Sequence, residues 1–276
     1  MEGAVYSVGP GQVAKIWFSQ PISAVRATMP FFDALAAKGL PFATPQIFDV
    51  REIDGHTVSR ERRLLGTPMA AARGSQQPFV AAVAALAGSG RCPEARSLTI
   101  MDETEPFWSG GDAFGGALAA LASRRRRRFG TVLAAAVDDF DRVADALIAR
   151  LPQVDSGVRT AIHGDLVPAN LLVSPESTVV AVLDWGFFST EGDPVFEAAV
   201  AAALFDMYGD DAVETELGLY EHFEKALGYA RADLLVYRAA YSLITANVFS
   251  PEGRDGHFAW CARALNRPDV RRALLL

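Results

Sequence analysis

The chain has 276 residues, of which half are apolar and 21% are charged, a balance that predicts a globular protein with one large core or two lobes sharing a cleft. The formal net charge of −7 argues against a nucleic-acid-binding surface, and no apolar run approaches the roughly 18 to 20 residues that span a bilayer. Without a signal-peptide layout, and with only Cys92 and Cys261 as cysteines, the chain is expected to be cytoplasmic and free of disulfides and structural zinc.

The first 66 residues predict a small lobe of strands with one helix. A helix is indicated at 22–37 by apolar residues at mainly helical spacing, and Pro30 is expected to kink or split it. The turn-like Gly66-Thr67-Pro68 suggests a hinge, so we divide the chain into lobes at 1–66 and 67–276. Strands are indicated by short apolar or β-branched runs at 5–8, 13–18, 46–50 and 57–64.

The second lobe is predicted to be mostly helical. A loop is expected at 92–112, which contains Gly110-Gly111 and several acids. One short β island interrupts the helices, with strands at 161–162, 171–174 and 179–185. Helical patterns occupy 78–87, 113–122, 132–150, 194–208, 213–227, 231–249 and 257–265.

Five consecutive arginines, 124–128, lie between two apolar helical stretches. They favour a solvated helix face or a connection, with binding of an anion or a partner as the alternative. Lysine is rare by comparison, because Lys15, Lys38 and Lys225 are the only three. Each lysine therefore marks a position worth inspecting.

The β island carries an acid and an amide in the segment HGDLVPAN, where a spacer of four residues separates Asp165 from Asn170. A carboxylate can orient and deprotonate an attacking hydroxyl, and an amide oxygen can bind the magnesium that offsets phosphate charge. Asp184 ends the next strand and supplies a second magnesium ligand, which suffices because phosphates and water complete the shell. This pattern indicates phosphoryl transfer, with turn formation and strand termination as the structural alternatives.

Two residues are expected to support the site. His163 is better placed to brace the loop than to react. Asp193, in Gly192-Asp193-Pro194, has the position of a helix N-cap, with bracing of the loop as the alternative. At the amino end, Lys15 follows a glycine turn on a predicted strand and could reach nucleotide phosphates from the roof of a cleft. An exposed strand lysine is the alternative.

The chain resembles the aminoglycoside phosphotransferase family, whose members are relatives of choline, fructosamine and homoserine kinases. The resemblance is carried by the segments HGDLVPANLL and VLDWGFFSTEGDP and by the helix that follows them. The resemblance extends from about residue 3 to about residue 249. It implies an α+β, protein-kinase-like fold, with a small mixed N-terminal lobe that binds nucleotide and a larger, mainly helical catalytic and acceptor-binding lobe. It assigns Asp165 as catalytic base, Asn170 and Asp184 as Mg²⁺ ligands, and a nucleotide site formed by Lys15, Gly9, Gly11, Glu61, Arg62 and Arg63. Adenine is expected to lie against the backbone around Glu61 to Leu64.

Three features depart from the family pattern. The family's small-lobe helix usually carries a Glu that pairs with the strand lysine, but Asp33 is the only acid between Ser19 and Lys38. The chain begins almost at the glycine turn, which predicts a short or missing first strand. Glu197 stands where the family often has Asp.

We therefore expect an enzyme that transfers the terminal phosphate of ATP or GTP to a hydroxyl of a small molecule. Gly192 follows only eight positions after Asp184, which leaves no room for a long activation segment and argues against a protein substrate. Alternatives are a catalytically silent nucleotide-binding module, a metabolic kinase of the choline, homoserine or sugar type, and a metal-dependent hydrolase; the oligomeric state stays open. Acids cluster after the β island, and their negative potential suggests a cationic, aminoglycoside-like acceptor. The alternative is that these acids only solvate a helix surface. They lie at 206, 210, 211, 214, 216, 221 and 224.

Overall fold

The computed structural model describes residues 3–275 except 105, 106, 109, 110 and 112, so Gly110 of the predicted loop lies outside the described residues. The N-terminal lobe is an antiparallel sheet in the order β1-β2-β4-β3. Its strands match the four predicted runs: β1 (Gly3–Gly9), β2 (Gln12–Trp17), β3 (Ile47–Ile53) and β4 (His56–Arg62).

The expectation of a short or missing first strand is not met. β1 has seven residues and pairs with β2 from Gly3 opposite Trp17 to Gly9 opposite Gln12. The pairing succeeds because Gly11, at φ +74°, closes the intervening turn in a backbone conformation that favours glycine.

Helix α1 (Ile22–Ala36) covers the sheet and contains Pro30 in its interior. The predicted split is absent, because the helix continues to Ala36 as one element. Pro30 removes one backbone hydrogen bond, but the neighbouring Phe31, Phe32 and Leu35 are buried, and each such side chain stabilises the packed helix by about 2 kcal/mol.

The lobes are joined by residues 63–66, which lead from β4 into β5 (Thr67–Pro68). Gly66 has φ +139°, and a Cβ at this position would lie 2.8 Å from Cβ of Leu172. The connection therefore requires glycine. Beyond it lie two small sheets, β5-β7-β8 and β6-β9, built from β6 (Thr160–Ile162), β7 (Leu171–Val173), β8 (Val179–Val182) and β9 (Thr190–Gly192).

The second lobe is mainly helical, as expected. Helices α5 and α7 form its centre, and every residue of α5 is buried. Five of the predicted helices agree with the structure to within four residues at either end, whereas α9 and β9 were not predicted. The helices are α2 (Gln76–Ala87), α3 (Phe114–Ala134), α4 (Phe140–Val154), α5 (Pro194–Phe205), α6 (Ala212–Leu227), α7 (Arg231–Thr245), α8 (Gly256–Asn266) and α9 (Pro268–Leu275). Within the described part of the chain, no helix has both the length and the apolarity to cross a membrane.

The predicted boundary between the helices at 113–122 and 132–150 is wrong. α3 runs through all five arginines to Ala134, and the chain turns instead at Asp139, which has φ +46°. Arg125 is only 1% exposed, and its Nη1 donates to Asp102 at 2.6 Å and to Glu103 at 3.3 Å. The run lies within helix α3, whose 3.6 residues per turn spread five consecutive side chains around the whole helix. The interpretation as a solvated surface fails for Arg125 because acids from the preceding loop cover it.

Candidate active site

A cavity of about 400 Å³ lies between the lobes. β2 contributes Lys15 and Trp17 to its roof, and the end of β4 with the start of the linker contributes residues 61–64. The larger lobe supplies Asn170 and Asp184 to the opposite wall. Residues from distant parts of the sequence therefore meet around a space large enough for a small-molecule ligand.

The structure places most of the predicted nucleotide-site residues in this lining: Lys15, Glu61, Arg62 and Arg63. Gly9 and Gly11 lie outside it among the residues described. The carbonyl of Gly11 instead accepts a hydrogen bond from the Arg63 N–H at 2.9 Å. These glycines therefore form the turn that lies against the interlobe linker, and the cavity does not explain their predicted role.

The loop that contains Asp165 is held in a tight conformation. Gly164 has φ +70°, and a Cβ there would lie 2.5 Å from Cβ of Phe188, so only glycine fits. The N–H of Asp165 donates to Nδ1 of His163 at 3.2 Å. Asn170 Nδ2 donates to the carbonyl of Asp165 at 3.0 Å. The acid and the amide are thus fixed relative to each other.

Burial and a neighbouring charge raise the pKa of Asp165. Burial, reinforced by the negative charge of Asp184, raises the pKa of Asp165 to about 7. Asp165 is not part of the cavity lining described. A carboxylate with a pKa near neutrality is suited to accept a proton at physiological pH.

His163 is buried beneath this loop. Its Nε2 lies 2.7 Å from the carbonyl oxygen of Leu183, directly before Asp184, and its ring centroid lies 4.6 Å from that of Trp185. Burial lowers the pKa of His163 to about 4, so the ring is neutral at pH 7. These contacts connect the loop to the end of β8, which is the geometry expected of the predicted brace.

The lowered pKa of His163 gives a pH-dependent stability. Since the folded pKa is about 4 and the unfolded value is 6.5, folding favours the neutral ring. The resulting stability is present above about pH 6.5 and is lost as the pH falls towards 4. In urea titrations, His163 should reduce the free energy of unfolding by about 2 kcal/mol between pH 7 and pH 5.

His163→Gln supplies the matched control, because glutamine can hydrogen-bond to the carbonyl of Leu183 but does not titrate in this range. The free energy of unfolding of the variant should fall by about 2 kcal/mol less than that of the wild type over the same pH interval. Equal losses in both proteins would show that His163 does not determine the acid sensitivity.

Glu197 supports the same loop from helix α5. Its Oε2 accepts hydrogen bonds from the backbone N–H groups of His163 at 2.8 Å and Gly164 at 3.0 Å. Burial raises the pKa of Glu197 to about 7, although these two hydrogen bonds oppose the shift. In the sequence, Glu197 stands out only as a departure from the family pattern. Its position four residues after Asp193 could have indicated a supporting role, because residues at this spacing share a helix face.

Asp193 caps α5, as the helix-start interpretation predicts. Its Oδ1 accepts from the N–H of Val195 at 2.9 Å, while Oδ2 accepts from the N–H of Ser156 at 2.6 Å and the hydroxyl of Tyr237 at 2.9 Å. Burial raises the pKa of Asp193. Of the two acids, Glu197 is the one that accepts hydrogen bonds from the HGD loop, so Asp193 supports the site by fixing the start of the helix that carries Glu197.

Lys15 belongs to a polar row on the roof of the cavity. It lies opposite Ser59 in the sheet, and its Nζ lies 3.7 Å from the ring centroid of Trp17. Trp17 Nε1 donates to Ser59 Oγ at 2.9 Å, and that hydroxyl donates to Glu61 at 2.5 Å. The acid lining the cavity beside Lys15 is thus Glu61 of β4, whereas Asp33 of α1 is exposed.

Asn170 and Asp184 fit a magnesium site. Because Asn170 uses Nδ2 to reach Asp165, its Oδ1 remains as an oxygen donor, and the exposed Asp184 carboxylate lines the same cavity. No group of three or more His, Cys, Asp or Glu side chains in the described residues could hold a metal by itself. Phosphate and water oxygens would therefore complete the octahedral shell that Mg²⁺ prefers.

The negative charge of the acids between 206 and 224 is partly neutralised by ion pairs within the protein. Glu216 is buried and pairs with Arg267 at 2.8 Å and Arg238 at 3.4 Å. Glu224 pairs with Arg231 at 2.7 Å. The acids of this set that remain exposed are Asp210, Asp211, Glu214 and Glu221.

Comparison with known proteins agrees with this arrangement. The model of a phosphotransferase enzyme family matches residues 4–235. A search of curated protein sequences finds no match. Solved structures match at low identity, which establishes similarity of fold.

Among these structures is aminoglycoside phosphotransferase APH(3'')-Id from Streptomyces rimosus with ADP and streptomycin, 17% identical, with 89% of this chain and 94% of that chain covered at a TM-score of 0.56. A thermostable mutant of aminoglycoside phosphotransferase APH(4)-Ia with ADP and hygromycin B is 17% identical, with 98% and 93% covered at 0.64. Macrolide 2'-phosphotransferase MphH from Brachybacterium faecium is 19% identical, with 94% and 86% covered at 0.54.

Proposed function

The chain belongs to the phosphotransferase enzyme family, and on this basis we propose that it transfers the terminal phosphate of ATP or GTP to a hydroxyl of a small molecule. The supporting observation is the cavity between the lobes. Lys15 lies on its roof and Asn170 and Asp184 on its opposite wall, while Asp165, outside the lining described, accepts a hydrogen bond from Nδ2 of Asn170 through its backbone carbonyl. This distribution would separate a phosphate-binding side from a proton-accepting side.

Nucleotide binding would use both walls of the cavity. Lys15 would contact phosphate oxygens from the roof, and the backbone of residues 61–64 would face the base. Asn170 Oδ1 and the Asp184 carboxylate would hold Mg²⁺. When bound, Mg²⁺ supplies positive charge that offsets the phosphate oxygens.

Asp165 would act on the acceptor. Its carboxylate would accept a hydrogen bond from the acceptor hydroxyl, orient the hydroxyl oxygen towards the terminal phosphorus, and take the proton as the new O–P bond forms. The bond from that phosphorus to the bridging oxygen of the nucleotide would break in the same step, and the nucleoside diphosphate would leave. Burial keeps the pKa of Asp165 near 7, so its ionised form is available at neutral pH. Glu197 and His163 would keep the loop in this orientation, which reduces the reorganisation needed during reaction.

We propose a cationic acceptor of the aminoglycoside class. Support comes from the exposed acids of the 206–224 segment and from solved relatives in fold that carry streptomycin or hygromycin B. Ion pairing of Glu216 and Glu224 weakens the negative potential, which makes a neutral acceptor, such as a sugar, the principal competitor.

A phosphotransfer assay tests both the proposed transfer activity and the proposed class of acceptor. The purified protein is incubated with Mg²⁺, ATP or GTP, and separate aminoglycosides, macrolides, amino-alcohols and sugars, and phosphorylated products are identified by mass spectrometry. Phosphorylation of an aminoglycoside hydroxyl is the expected result. Activity confined to neutral acceptors would reject the cationic class, and nucleotide binding without transfer to any acceptor would indicate a silent module.

A further inference from the structure

Lys38 connects the end of the small-lobe helix to the larger lobe. It lies two residues after α1, and its Nζ donates to the carbonyl oxygens of Ser89 at 3.1 Å, Gly90 at 3.1 Å and Arg91 at 2.6 Å. These carbonyls directly follow α2 (Gln76–Ala87), at the end of a helix where the backbone dipole favours a positive charge. One ammonium therefore joins two elements that belong to different lobes.

The choice of lysine fits this geometry. An ammonium carries three donors on one atom, which matches the three carbonyl oxygens, whereas a guanidinium spreads its donors across a planar fork. Lysine accounts for only three of the 26 basic residues. In a chain that otherwise uses arginine, Lys38 occupies a position where a compact charge meets converging acceptors.

A second attachment lies five residues further along. The N–H of Ala43 donates to the carbonyl of Val180 at 2.8 Å, and the N–H of Val182 donates to the carbonyl of Ala43 at 3.0 Å. Val180 and Val182 belong to β8, the strand that leads into Asp184. The segment after α1 is thus fastened to the larger lobe on both sides of Gly39.

The position of α1 shapes the cavity. Phe31 contacts Trp185 with ring centroids 5.7 Å apart, and Trp185 directly follows Asp184. Phe32, the next residue of the helix, lines the cavity together with Trp185. A shift of α1 would therefore move one apolar wall of the cavity and release the indole next to Asp184.

We propose that Lys38 is a positioning residue for nucleotide binding: by fixing the end of α1 to the carbonyls after α2, it holds Phe31, Phe32 and Trp185 in the geometry that closes the cavity. The effect on nucleotide binding rests on the proposed kinase function. Lys38 itself is not among the residues described as lining the cavity.

The test compares Lys38→Met with the wild type and with Lys225→Met. Methionine keeps the length of the side chain but removes its charge and donors, and Lys225 is an exposed lysine on α6. Lys38→Met should raise the KM for Mg-ATP about tenfold, the loss expected for charge-assisted hydrogen bonds, with kcat and the acceptor KM changed less than about twofold. An unchanged KM in a folded Lys38→Met protein would overturn the proposal.

Hydrogen exchange of the free proteins gives a readout that does not depend on turnover. Lys38→Met should exchange faster than Lys225→Met in peptides covering 31–44 and 180–187, because both depend on the attachment. Equal exchange in these peptides would overturn the positioning role even if the enzyme were inactive. If Lys38→Met exchanged faster but the wild type showed no phosphotransfer, the kinase function would be rejected and the role of Lys38 in positioning α1 would be supported.

Discussion

Asp165→Asn is expected to lower kcat about a thousandfold, within the range that a positioned general base contributes. The substitution preserves the size of the side chain but removes the group that would accept the hydroxyl proton. The KM for Mg-ATP should stay within about threefold of the wild-type value, because Asp165 lies outside the lining described for the interlobe cavity. Steady-state kinetics with the acceptor identified in the phosphotransfer assay provide the measurement.

Asp141→Asn is a matched control for this change. Asp141 is an exposed carboxylate on α4, where it pairs with Arg126 at 2.8 Å, and it has no part in the candidate site. Its replacement should leave kcat unaltered. If Asp165→Asn retained acceptor-dependent turnover at the wild-type rate, the assignment of Asp165 as the base would be wrong.

Asp184→Asn should also reduce turnover strongly, but with a different signature. Removing one of the two protein ligands should lower kcat about a hundredfold, since a bound metal ion contributes several kcal/mol of charge stabilisation. The Mg²⁺ concentration for half-maximal rate should rise, whereas Asp165→Asn should leave it unchanged. Titrating Mg²⁺ at fixed ATP for both variants distinguishes the metal ligand from the base.

Asparagine is the suitable replacement because Asp184 has φ +60°. Asn tolerates this left-handed backbone conformation, whereas alanine would add backbone strain to the loss of the carboxylate. A Mg²⁺ dependence identical to that of the wild type would show that Asp184 does not bind the metal. The exposure of Asp184 makes loss of stability a minor complication.

The position of the HGDLVPAN segment among short strands could be predicted because its information is local. Asp165, Asn170 and Asp184 occur at fixed spacings around short apolar strands, and such strands bring their end residues together. The strands and helices followed from apolar periodicity for the same reason. Local pattern also explains why Asp193 was identified as a helix cap.

Features that depend on distant partners could not be predicted in this way. Nothing near Arg125 in the sequence indicates that Asp102 and Glu103 cover it, so the arginine run was interpreted as solvated. The three residues of β9 are too few to show an alternating pattern, and they pair with β6 about thirty residues away. Glu197 supports the loop only because the fold brings α5 beneath His163.

The two attachments after α1 bear on the cooperativity of the whole molecule. Residues 1–66 are contiguous in sequence, yet Ala43 takes part in the hydrogen bonding of β8 and Phe31 packs on Trp185. Separating the small lobe would leave backbone groups without partners and expose aromatic surface, each at a cost in free energy. The hinge at Gly66 is therefore a boundary in chain topology, while α1 and the strand that carries Asp184 belong to one unfolding unit.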